Sequence, residues 1–169
     1  ENLHNFNAFT PTVANIRPTS RGEINIKSSD TRDHPKIKMN YLSTEEDRKV
    51  TADGLKLIRK IVLETNVFKK YEPEEFRPGI SIKDDEELVK AASNYAQTIF
   101  HPVGTCKMGK DEFSVVDDRL RVNGLQNLRV IDASIMPNIT SGNTNAPTIM
   151  IAEKGADMIM EDNKSWLNK

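Results

Sequence analysis

The sequence predicts an α+β chain, with a mainly antiparallel sheet and packed helices. Three features carry this expectation. Two short segments, around Ile24 and Ile37, alternate apolar and polar residues as strands do. Two capping-box patterns, Ser43 with Glu46 and Asp84 with Glu87, each precede apolar residues at helical spacing. A pure loop composition, PNITSGNTNAP, then runs into a third helical repeat.

Residues 1 to 20 scatter their apolar side chains and include Pro11 and Pro18, so they read as extended or irregular. In RGEINIKSSD, Ile24 and Ile26 share one face of a half-buried strand. DHPKIKMNYL repeats the alternation through Ile37, Met39 and Tyr41, and the turn-forming SSDTRDHP joins the two. With Ser43 as N-cap, a first helix is expected over about 44–64, with Leu55, Ile58, Ile61 and Val62 on its apolar face. Asn66, Pro73, Pro78 and Gly79 mark a loop. Asp84 starts a second helix, in which Leu88, Ala91, Ala92, Tyr95 and Ile99 recur. It should run up to FHPVGTCKMG and stop at His101, because proline disfavours helix in the residue before it. In DDRLRVNGLQNLRVID an Asn-Gly turn separates short apolar runs, and LRVI is a candidate strand ending at Asp132. The third helix, TIMIAEKGADMIMED, places Ile149, Ala152, Ala156 and Ile159 on one face. Pro147 suits its first turn, where a missing N–H costs nothing. Residues 163–169 read as a frayed tail after a single region over 1–162.

Composition narrows the function classes. The 24 Lys and Arg against 25 Asp and Glu leave a net charge of -1, so no broad electrostatic footprint for nucleic acid or an acidic membrane is expected. Cys106 is the only cysteine, which excludes an intrachain disulfide and a cysteine-rich zinc site. His4, His34 and His101 have no ligand-like spacing, so no metal is expected. No run approaches the ~20 apolar residues needed to span a bilayer. ENLHNFNAFT lacks the basic end and apolar stretch of a signal peptide, and it lacks a starting Met. The expectation is a piece of a larger protein, placed in the cytoplasm or peripherally at the inner membrane.

Few residues offer chemistry. His101, at a helix end and followed by Gly104 and Gly109, reads either as a proton acceptor at neutral pH or as a loop histidine bonded to a carbonyl. Asn143 and Asn145 precede a helix start, where free N–H groups and the positive dipole end attract an anion or a polarised oxygen. Asn145 as a simple N-cap explains the same pattern. Asp132 at a strand end could accept a ligand hydroxyl, although on its own it reads as a turn or cap residue. Cys106 reads as a packed thiol rather than a nucleophile, with Lys107 and Lys110 solvating the loop. No GxSxG, HExxH, Walker loop or GxGxxG occurs.

The order of these segments is more specific than any one of them. TIFHPVGTCKMG, followed by VVDDRLRVNGLQNLRVIDASIMPNITSGNTNAPTIMIAEKGADMI, closely resembles the carboxyl-terminal segment of the glucose–methanol–choline (GMC) oxidoreductases, and most of all the bacterial choline-dehydrogenase-like alcohol dehydrogenases. The resemblance runs from about Arg17, through SRGEINIKSSD and NYLSTEEDRK, to about Glu161. It implies FAD-dependent oxidation of a small-molecule alcohol to an aldehyde or ketone, with hydride transfer to the flavin N5. His101 matches the family's catalytic histidine, which assists removal of the hydroxyl proton. Asn143 matches the second active-site position, which is His or Asn in the family. The resemblance also implies that Phe100 lies against the substrate cavity and that Asp132 and Ala133 meet the FAD ribose or pyrophosphate. Asn145, Ala146 and Pro147 would pass the flavin ring. The family's nucleotide cradle opens with a Rossmann glycine fingerprint, which this sequence lacks. The chain is therefore expected to need a separate amino-terminal FAD-binding part, and to be inactive without it. A cyanohydrin-cleaving lyase on the same scaffold and a non-enzymatic docking fragment are the alternatives.

Overall fold

The computed structural model describes residues 4–164. Its regular elements are strands β1 (Glu23–Asn25) and β2 (Lys36–Lys38) and helices α1 (Glu45–Arg59), α2 (Asp85–Tyr95) and α3 (Asn145–Asp162). They fall into two compact units. One joins the residues up to Asn15 with Tyr41–Gln97, and the other joins Ile16–Asn40 with the chain from Thr98 onward.

The first unit is built on α1 and α2. Thr44, not Ser43, is the N-cap of α1, and its hydroxyl accepts the Asp47 N–H at 3.3 Å. The shift of one residue follows from Asp47, which is buried and accepts the Asn15 side-chain N–H at 3.0 Å. Fixing that carboxylate inside fixes the register of the first turn. The helical path continues through a π-helical turn at Lys60–Glu64, so the expected end is met by a wider last turn. Of the expected apolar face, Leu55, Ile58 and Val62 are half-buried and Ile61 is exposed. Asp84 caps α2 as expected, accepting the N–H groups of Glu86 and Glu87 at 2.9 and 3.2 Å. Leu88 and Ala91 are buried, but α2 ends at Tyr95 rather than at Ile99. Burial accounts for the early stop: Tyr95 is half exposed and Ile99 more so, leaving little packing to offset the entropy of ordering another turn. Beside the helices, Arg59 makes a bidentate pair with Glu75, both contacts 2.8 Å, and donates to the carbonyls of Gly79 and Ile82. Both side chains are largely buried, so this charge-assisted pair pins the loop that follows α1.

In the second unit β1 and β2 pair antiparallel, with Ile24 opposite Ile37. All six strand residues are exposed, which corrects the half-buried expectation. The sheet is also smaller than expected. LRVI contributes one isolated bridge, Arg121 to Arg129, rather than a strand. Leu120 and Asn127 have positive φ (61° and 56°) on either side of the Asn-Gly turn, and this bending prevents a continuous ladder. The turn itself is present, with Gly124 at φ 76°.

The core of this unit is Val116, Leu120, Ile135, Met136 and Ile151. α3 meets it through Ile151, Gly155 and Met158, not through Ile149, Ala152, Ala156 and Ile159, which are exposed. A Cβ on Gly155 would lie 2.5 Å from Ile131 Cγ2, so glycine permits the closest approach. A pattern counted in apolar side chains overlooks such a contact. At the far end of α3, Arg119 reaches the Met158 carbonyl, Glu161 and Asp162, and Arg129 pairs with Asp162. These cations offset two carboxylates at a helix end whose dipole disfavours them. They hold the Asp162 carboxyl below its usual range, Arg129 most strongly. Asn163 caps the last turn, and residues 165–169 of the expected tail lie outside the described residues. No described helix is long and apolar enough to cross a membrane.

Candidate active site

The candidate site lies in the second unit, where three loop segments converge. Phe100 precedes His101 with φ 62°, a left-handed conformation that costs an aromatic residue roughly 1–3 kcal/mol and turns the chain sharply before the histidine. Phe100 is 77% exposed. After His101 the chain is laid along a 3₁₀ turn at Ala133–Ile135. The Cys106 N–H donates to the Ser134 carbonyl (3.0 Å) and the Met108 N–H to the Ile135 carbonyl (2.8 Å). Gly104, at φ 91°, allows the backbone to pass the Met136 carbonyl, 3.4 Å from where a Cβ would sit. Asp132 is the cap of that 3₁₀ turn, accepting the Ser134 N–H at 2.7 Å. The local role considered for Asp132 is thus present, and through it Asp132 supports the loop that carries His101.

The His101 ring meets the start of α3. Its Nδ1 lies 2.9 Å from Thr144 Oγ1 and 3.4 Å from the Thr144 backbone N, whose N–H points to it. Among the described residues its Nε2 has no hydrogen-bond partner. Thr144 is 8% exposed and is the N-cap of α3, which corrects the reading of Asn145 as cap. No side chain caps this helix, because the Thr144 hydroxyl is directed to His101 instead. Asn145, Ala146 and Pro147 form the opening turn. Asn143, one residue before Thr144, is exposed.

Arg17 and Arg21 hold the preceding loop, donating to Ser141 Oγ and Asn138 Oδ1. Neither arginine nor Thr144 was singled out from the sequence. For Thr144 a signal existed, since threonine is a favoured N-cap type. Its partner, 43 residues away, had none. Lys107 pairs with Asp111 at 2.9 Å and keeps that carboxyl below its usual range, so the cation next to the half-buried Cys106 is engaged elsewhere.

The first turn of α3 is a test of fit for a flavin. The N–H groups of Asn145 and Ala146 have no capping side chain, and Pro147 has no N–H to satisfy. Such a turn suits an electron-rich oxygen or ring edge. A concavity of about 1020 Å³ in this unit lies elsewhere, at the Asn-Gly turn and the far end of α3, lined by Arg121, Asn123, Leu128, Ile159 and Asp162 among others.

Residues 18–152 match the carboxyl-terminal family model described as GMC oxidoreductase. The chain is 49% identical over 151 residues to oxygen-dependent choline dehydrogenase of Pseudomonas fluorescens (strain SBW25), covering 89% of this chain and 26% of that relative. It is 49% identical over 152 residues to alcohol dehydrogenase [acceptor] of Pseudomonas putida, covering 90% of this chain and 27% of that relative. The chain thus spans about a quarter of the length of the curated relatives it matches. Among solved structures it is similar to pyridoxine 4-oxidase from Mesorbium loti, with a TM-score of 0.75 and 36% identity over 84% of this chain and 28% of that one. An Aspergillus oryzae RIB40 formate oxidase, a variant studied for FAD modification, has a TM-score of 0.80 and 30% identity over 89% of this chain and 26% of that one. The chain belongs to the GMC oxidoreductase family and carries the family's carboxyl-terminal domain.

Proposed function

We propose that this chain forms the substrate-facing wall of an FAD-dependent enzyme that oxidises an alcohol to an aldehyde or ketone. The observation that supports it most is the anchoring of His101. One ring nitrogen is held by Thr144 at the start of α3, and the other has no partner among the described residues. That second nitrogen, Nε2, takes the hydroxyl proton. A general base of this kind contributes roughly 10²–10⁴-fold. Asn143 donates its amide N–H to the same oxygen without competing for the proton. Bound FAD supplies the hydride acceptor for the alcohol carbon. Asn145, Ala146 and Pro147 would face its ring, and Asp132 and Ala133 would lie toward its ribose or pyrophosphate, while Phe100 borders the alcohol.

The nucleotide cradle comes from an amino-terminal FAD-binding part. The exposed apolar side chains of α3, Ile149, Met150, Ile159 and Met160, suit a further packing layer from that part. The test is His101→Ala in the FAD-loaded enzyme. Anaerobic bleaching of the flavin by alcohol should slow by ~10²–10⁴-fold with FAD still bound. Bleaching at the unaltered rate would refute the base role, and stoichiometric flavin absorbance in this chain alone would refute the need for a second part.

A further inference from the structure

Resting on the base role given above to His101, we propose that Thr144 is its positioning residue and sets its tautomer. A neutral imidazole carries one hydrogen, on Nδ1 or on Nε2. Accepting a substrate proton at Nε2 requires the hydrogen to be on Nδ1. Both hydrogen-bonding groups that meet Nδ1 belong to Thr144, and only one of them can accept a hydrogen from it. The backbone N–H, with its nitrogen 3.4 Å away, can only donate, so it favours a bare Nδ1 and a hydrogen on Nε2. The hydroxyl, 2.9 Å away, can donate or accept, and among the described residues it is the acceptor available to a hydrogen on Nδ1. The base role of His101 requires the second arrangement, in which Oγ1 accepts from Nδ1 and the ring keeps its lone pair on Nε2.

The hydroxyl is suited to this task because its alternative use is given up. As N-cap of α3 it would ordinarily accept an N–H of its own helix, yet it makes no such bond. Thr144 is buried, which limits exchange of the contact with water. When Nε2 takes the substrate proton the ring is doubly protonated, and Oγ1 still accepts the Nδ1 hydrogen. A side chain of the same shape without the hydroxyl would leave the backbone N–H alone at Nδ1. The hydrogen would then move to Nε2, where it blocks proton acceptance.

The test compares wild type, Thr144→Val and Thr144→Ser in the FAD-loaded enzyme, reading kcat, KM and the ¹⁵N shifts of His101 together. In wild type the shifts should report hydrogen on Nδ1. Thr144→Val should move it to Nε2 and lower kcat by ~10²-fold with KM changed little, the scale of a lost general base. Thr144→Ser, which keeps the hydroxyl, should restore both. An unchanged tautomer in Thr144→Val overturns the proposal whatever the rate. A changed tautomer with unchanged kcat leaves the Thr144–His101 link standing and overturns the base role of His101 instead.

Discussion

The helix starts in the two units differ in kind. In the first unit, α1 and α2 begin with three acidic residues each and with side-chain caps from Thr44 and Asp84. Each cap satisfies its own helix, and the carboxylates complement the positive dipole end. In the second unit α3 begins with no acidic residue in its first turn and no side-chain cap, and its threonine is bonded to a histidine instead. Two starts are closed for stability and one is left open. An open start with unneutralised N–H groups is where an electron-rich ligand binds most favourably.

This contrast can be broken or sharpened by experiment. The largest stability effect should come from Leu88→Ala, which empties a fully buried position on α2. Denaturant unfolding should show a loss of about 2–5 kcal/mol. A loss below 1 kcal/mol would mean that the first unit does not depend on this packing. Next, Asp84→Ala removes a cap that holds two N–H groups and should cost about 1 kcal/mol by the same measurement. Thr144→Val removes no cap bond and should cost less than Asp84→Ala while affecting turnover far more. The reverse order would erase the distinction between closed and open starts. The smallest effect concerns Asp162. Its folded pKa lies below the ordinary 3.8, chiefly through Arg129 and also through Arg119. The stabilisation is therefore present above the unfolded value and is lost as pH falls through the folded one. Acid unfolding below about pH 4 should be less steep in Asp162→Asn than in wild type; identical profiles would show that the pair adds nothing.

Much of the local structure was legible. Asp84 announced α2, the Asn-Gly pair announced a turn, and the alternation around Ile24 and Ile37 announced the two strands. Their exposure was not legible, because alternation reports the faces of a strand and not what covers them. The buried face of α3 was misplaced because its closest contact is made by Gly155 against Ile131, and glycine adds nothing to an apolar count. In the candidate site, His101 and Asn143 were singled out from order and residue type, and Thr144 was passed over between two asparagines.

The sequence by itself determined the family, the presence of three helices and the residue types available to the candidate site, since each is written in neighbouring positions. Only the tertiary structure decided that a threonine at the head of α3 turns its hydroxyl away from its own helix and toward a ring 43 positions earlier. A hydroxyl has several partners within reach of its rotation, and the packed positions of distant segments select among them.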